Sequence, residues 1–182
     1  MLKYLLAIIF LLSAPSPIWA SDIATPPANA AAPVAPTSIV NFKQVDSGIF
    51  RGGRPGDEGM KELDALGVKT IIDLENEDPA IAAEQATAAT LNIKLISYSM
   101  DYKTAPDPQE VTTLLADIAD VAMQPVYVHC KHGEDRTGLI IGLYRVKYDH
   151  WTAKAAYSEM LQDHFHPFLK NLADFFTAQT QP

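Results

Sequence analysis

The stretch VYVHCKHGEDRTGLIIGLYRVKY, residues 126–148, constrains the fold more than any other part of the chain. Strand-forming residues run to His129, a polar loop containing Gly133 follows, and TGLIIGLYRVKY is then apolar nearly all round. A helix without a polar face must be covered on every side, and a short apolar strand without alternation belongs inside a sheet. The unit therefore predicts the centre of an α/β domain.

The remaining segments supply its neighbours. FKQVDSGIFRG has two short apolar stretches about Asp46-Ser47-Gly48, a hairpin pattern for one sheet edge. GDEGMKELDALG places Met60, Leu63 and Leu66 at helical spacing and stops at Gly67. VKTIIDL and IKLISY read as further strands, and between them Asp78-Pro79 starts a helix, the acid as cap and the proline in first place. Another helix opens at DPQEV, with Asp107 as cap, Pro108 first and Glu110 three after the cap. Its apolar face carries Val111, Leu114, Leu115, Ile118 and Ala122. Two helices complete the chain. One carries Ala153, Ala156, Tyr157, Met160 and Leu161; the other starts at Pro167 and carries Phe168, Leu169, Leu172, Phe175 and Phe176. Strands alternating with helices imply a largely parallel central sheet flanked by helices on both faces.

The N-terminal region differs in character. Lys3, the apolar run YLLAIIFLL and the small or helix-breaking residues of SAPSPIWA form the pattern of a signal peptide over residues 1–20, with cleavage after Ala20. That run is shorter than the roughly 20 residues a spanning helix needs, so no stable membrane insertion is expected after cleavage. A periplasmic or secreted location follows. Residues 21–38, rich in Ala and Pro, read as a flexible linker, leaving 39–180 for one domain.

The formal charge is −8, and removing Lys3 with the signal peptide makes it −9. No local basic patch offsets this acidity, which argues against nucleic acid as a partner. The single cysteine, Cys130, excludes an internal disulfide. An unpaired thiol in an oxidising compartment is a liability unless it is buried or used.

In parallel sheets, ligands bind beyond the carboxyl ends of the strands, where Cys130 stands. A tight loop entering a helix turns backbone N–H groups inward and adds the positive end of the helix dipole, a cradle for an oxyanion. Gly133 permits close backbone approach, and the planar fork of Arg136 can clamp two oxygens. The same field favours the thiolate of Cys130, a nucleophile beside an anion site.

His129-Cys130-Lys131-His132-Gly133-Glu134-Asp135-Arg136-Thr137-Gly138 resembles the HCxxGxxR(S/T)G signature of cysteine-dependent protein tyrosine phosphatases, and it is most similar to the atypical dual-specificity branch. FKQVDSGIFRGGRP, LGVKTIIDLEN and YRVKYDHWTAKAAYSEM resemble the flanking pattern of that branch, so the likeness covers 39–165. The resemblance implies a tyrosine/dual-specificity phosphatase fold without a cofactor, acting on phosphorylated protein or a small phosphomonoester. Cys130 is then the nucleophile, Arg136 the phosphate clamp, and the backbone of Lys131, His132, Gly133, Glu134, Asp135 and Arg136 the substrate cradle. Thr137 steadies the departing thiolate, and His129 orients the loop.

Such chemistry needs a carboxylic acid to protonate the leaving oxygen. SMDYKTAPDPQE offers Asp101 and Asp107; the helix cap already employs Asp107, which favours Asp101. For substrate, Lys131 matches one of two basic loop positions of phosphoinositide phosphatases, but Glu134 occupies the other and repels extra phosphates. Asp135 resembles a lipid-active bacterial subgroup, so an inositol phosphate or phosphoinositide stays as the alternative. Tyr102 and Lys103 are candidates to flank the cleft. Arg51 and Arg54 either face the site or belong structurally to an edge turn, with the structural reading preferred, and Glu75 stands where relatives often carry arginine. His164 and His166 lack an identifiable third ligand, which argues against a metal site. Arsenate reduction would require further cysteines, and sulfur transfer fits the Arg-Thr pair poorly.

Overall fold

Four parallel strands end at one level, and that alignment positions everything below. The computed structural model describes residues 35–181; the signal peptide reading and residues 21–34 of the linker lie outside the described residues. β1 (Lys43–Asp46) and β2 (Ile49–Gly52) pair antiparallel across the expected turn, where Gly48 adopts a φ of +80°. β3 (Thr70–Asp73), β4 (Lys94–Ser97) and β5 (Val126–His129) are parallel to β2, in the sheet order β1-β2-β5-β3-β4. β5 is central and wholly buried, as its unbroken apolar character requires. Its last residue, His129, is opposite Gly52 on one side and Asp73 on the other. The loops leaving β2, β3 and β5 therefore emerge together.

The two sheet faces alternate residue by residue, as a pleated strand dictates. Ile71 and Tyr127 face α1 (Gly56–Ala65) and α2 (Asp78–Thr90), packing with Met60, Leu63 and Ala88. Ile72, Val126 and Val128 face the other way, into the larger core built by α3 (Pro108–Ala119), α4 (Asp135–Lys147), α5 (Ala153–Gln162) and α6 (Lys170–Thr180). In α4 every residue from Arg136 to Tyr144 is buried, which explains the missing polar face. Among the described residues no helix is long and apolar enough to cross a membrane.

Several details differ from the sequence expectations. The N-cap of α2 is Glu77, without a side-chain cap bond, and Asp78 is already the first helical residue. The Glu77 carboxylate is instead engaged by Arg54 and Lys131, both at 3.3 Å. Asp107 does cap α3, accepting from the amides of Gln109 (2.7 Å) and Glu110 (3.1 Å). Ala122 leaves the apolar face, because Asp120 caps a separate short 3-10 turn at Val121–Met123. Leu161 is exposed, and α6 starts at Lys170 rather than Pro167, leaving Phe168 72% exposed. The last linker residues are ordered against α1: Pro36 is buried, and Glu62 accepts from the amides of Thr37 and Ser38, each at 3.1 Å.

Candidate active site

Cys130 is the first residue beyond β5 and is 3% exposed. The loop after it is fastened from outside. Gly133 O accepts from Arg51 Nη2 (2.6 Å), His132 O from Asn41 Nδ2 (2.9 Å) and Lys131 O from the Arg54 amide (3.3 Å). In a trans peptide the N–H points opposite to the C=O, so three outward carbonyls turn the next three amides inward. Gly133 is demanded twice over. Its φ is +75°, and an added Cβ would stand 2.3 Å from Gly52 C and 2.6 Å from Gly53 N.

Arg51 is 2% exposed and joins Gly133 O to Asp163, whose Oδ2 lies 2.9 Å from Nη1; Lys43 pairs with the same carboxylate. It braces the loop from behind. Arg54 pairs with Glu75 (Nε to Oε1 2.8 Å), a hydrogen bond that holds its pKa above the ordinary arginine value. Glu75 is therefore spent on Arg54 and is 1% exposed, with no part in orienting substrate.

Arg136, in the first turn of α4, directs Nη1 to the carbonyls of Leu74 and Met100, both at 3.2 Å. Those carbonyls lie just beyond β3 and β4, so the sheet edge holds the guanidinium in place. Burial opposes ionisation of Cys130. The Thr137 hydroxyl, the Arg136 charge and the amides of Thr137 and Gly133 outweigh burial and bring the thiol below its ordinary value. Thr137 is fully buried, and its hydroxyl makes no well-formed hydrogen bond to any described residue, which leaves it free to turn to the sulfur.

The sulfur and guanidinium line one cleft of about 360 Å³, together with Lys131, His132, Asp135, Asn76 and Glu77. Gly133 and Glu134 are outside its lining; Glu134 is turned to Asn41 Nδ2 at 3.3 Å. Lys131 Nζ lies 3.3 Å from Glu77 Oε1, a partner not foreseen from sequence. Tyr102, 46% exposed, forms part of the wall. Another part of the lining was missed: His166, Phe168 and Leu169 come from the connection between α5 and α6. The aromatic, proline-broken HFHPF stretch between two helices was the available signal. His166 has acidic neighbours that its sequence context did not reveal. Its amide and Nδ1 lie 2.8 and 3.1 Å from Asp135 Oδ1, and Glu134, Asp135 and His166 offer ligand atoms within 4.8 Å of one another.

Asp101 is not brought to Cys130. It lines a separate cleft of about 200 Å³ with Asp107, and its Oδ1 accepts from the Lys103 amide at 2.9 Å.

A buried thiol whose ionisation is favoured by its surroundings, at the end of a central parallel strand beside a braced arginine, defines a cysteine-dependent phosphatase of the α/β type. Residues 32–171 match the family described as "DSP-PTPase phosphatase fused to NAD+ Kinase", and the chain belongs to that family. It is 34% identical over 130 residues to inositol diphosphatase DSP3 of Arabidopsis thaliana, covering 69% of this chain and 62% of that protein. To the dual specificity protein phosphatase TpbA of Pseudomonas aeruginosa (strain UCBPP-PA14) it is 29% identical over 150 residues, covering 82% of this chain and 66% of that protein. The crystal structure of P. aeruginosa TpbA superposes with a TM-score of 0.67 at 25% identity, covering 83% of this chain and 91% of that one. The chain spans about three fifths of the length of the curated relatives it matches.

Proposed function

We propose that this chain hydrolyses phosphomonoesters of the dual-specificity or tyrosine type through a cysteinyl-phosphate intermediate. The carrying observation is the shared cleft of Cys130 and Arg136 beneath a loop whose carbonyls are tied outward. The Cys130 thiolate attacks phosphorus, and the bond from phosphorus to the leaving oxygen breaks as that oxygen takes up a proton. Water then attacks the phosphorus, passing a proton to the carboxylate that gave one up in the first step; the S–P bond breaks, and the Thr137 hydroxyl supports the returning thiolate. The amides and Arg136 match the equatorial oxygens in both steps, where fixed donors act most strongly. Asp101 is assigned as proton donor. Its neighbour Tyr102 already lines the cleft, so movement of the 99–106 loop would carry the carboxylate across.

Tyr102 and Phe168, both in the cleft lining, favour an aryl phosphate, as in phosphotyrosine. Glu77 neutralises Lys131, and Asp135 adds a further negative charge, which disfavours a polyphosphorylated ring. The similarity to inositol diphosphatase DSP3 supports inositol phosphates as the second reading. Parallel turnover of a phosphotyrosine peptide and an inositol pyrophosphate decides between them, with phosphate release from the peptide expected to dominate. Cys130→Ser should abolish both activities while retaining substrate binding; a serine variant with full turnover refutes the mechanism.

We also propose export, on the pattern of residues 1–20. Mass spectrometry of protein from the producing cells should find a chain starting at Ser21, and an intact Met1 start in a fully processed fraction counts against it.

A further inference from the structure

Glu84 is a buried carboxylate that the chemistry above does not use. It lies on α2, a helix otherwise composed largely of alanine and threonine, and is 8% exposed. Its Oε1 is 2.8 Å from Nε2 of His129, the residue before Cys130 and itself wholly inaccessible. The imidazole stacks on Tyr127 at 5.5 Å and 16°, and Asp73 Oδ1 lies 3.9 Å from the same Nε2. Nδ1 has no hydrogen-bond partner among the described residues.

A neutral imidazole N–H needs only a neutral acceptor, whereas a buried carboxylate carries a desolvation cost that a charged partner offsets. An ionised carboxylate only accepts, so it fixes a proton on Nε2 and holds the ring in one orientation. With a second carboxylate close by, the surroundings of His129 suit a cation. We infer that Glu84 is a positioning residue for the catalytic sulfur: acting through His129, it fixes the ring and supplies the countercharge that lets a cation sit behind Cys130. This rests on reading Cys130 as the nucleophile.

The charged groups around the ring agree. Burial by itself pushes the His129 pKa down, but the hydrogen bond to Glu84, then the charges of Glu84, Asp73 and Cys130, raise it above the ordinary histidine value. Asp73 from β3 is itself pushed up, mainly by burial. Beyond it, Glu75 is committed to Arg54. Burial also keeps the Tyr127 hydroxyl protonated, so it adds no charge. Coupling between imidazolium and thiolate is reciprocal: each favours the charged form of the other. Removing the Glu84 charge therefore favours the neutral ring and, with it, the neutral thiol.

The test uses the full chain and its single cysteine. Rates of Cys130 alkylation by iodoacetamide are followed against pH in the wild type and in Glu84→Gln, which keeps an acceptor but loses the charge. The Gln variant should alkylate about tenfold more slowly on the acid side and reach the same alkaline plateau, with the acid limb of kcat/KM moving in parallel. Superimposable alkylation profiles would overturn the inference. If turnover survives in Cys130→Ser while the profiles still separate, the nucleophile reading fails and the Glu84 effect stands. Should Glu84→Gln not fold, ring-nitrogen NMR of His129 in the wild type decides: a doubly protonated ring at neutral pH supports the inference, and a neutral ring ends it.

Discussion

The catalytic loop and the 99–106 loop border neighbouring clefts but are built to opposite plans. Carbonyls of the first are bound by Arg51, Asn41 and the Arg54 amide, and backbone from β2 closes over Gly133. The second is exposed from Tyr102 to Ala105. Its ties are the local Asp101 turn, the Met100 carbonyl on Arg136, a Met100 amide bond to Leu74 O at 3.4 Å and a contact from Asn171 to Lys103 O. Few buried contacts and exposed backbone mark the low-stability end of a fold. On the proposed mechanism, anion binding and nucleophile activation are set before substrate arrives, and delivery of the proton falls to the less firmly tied segment.

The strongest challenge to this contrast is Gly133→Ala. Its methyl group meets Gly52 and Gly53 backbone atoms rather than a side chain that can swing aside, and the left-handed φ adds about 1–2 kcal/mol of strain. Aryl phosphate turnover should fall by about two orders of magnitude or more, with a lower melting temperature. Near-normal kcat/KM would show that the loop is not the rigid half.

Asp101→Asn should have a smaller and selective effect, about 10- to 100-fold on an alkyl phosphate and little on p-nitrophenyl phosphate, whose leaving group departs without a proton. Equal loss on both substrates would move the proton donor elsewhere; His166 already shares the cleft with Cys130. The smallest change belongs to Asp107→Ala, which removes the α3 cap and about 1 kcal/mol of stability, read from denaturant unfolding. Its turnover should stay within about twofold. A larger catalytic loss than Asp101→Asn, in folded protein, would reverse the assignment of the two aspartates.

What could be read from the chain depended on the range of the interaction. The β5–loop–α4 unit was legible because burial on every side writes itself into consecutive residues, and the Asp107 cap because its partners are two and three places away. The role of Arg51 was less legible, since its partner Asp163 is 112 positions distant and the β2–β5 pairing aligns it with the catalytic strand. Phe168 was assigned to a helix core because an aromatic residue after proline suits either core or cleft; only the path from α5 to α6 distinguishes them. Glu84 gave no signal at all. Among alanines, its periodicity is uninformative, and its importance comes from a ring on the neighbouring strand.

Cys130 is buried where it lines the cleft, and the sequence contains no second cysteine. A sulfenic acid formed there by peroxide has no thiol within the molecule to condense with. Repair must come from a thiol brought in from outside, whereas a phosphate held beside Arg136 would shield the same atom. Redox damage and substrate occupancy are thereby in direct competition.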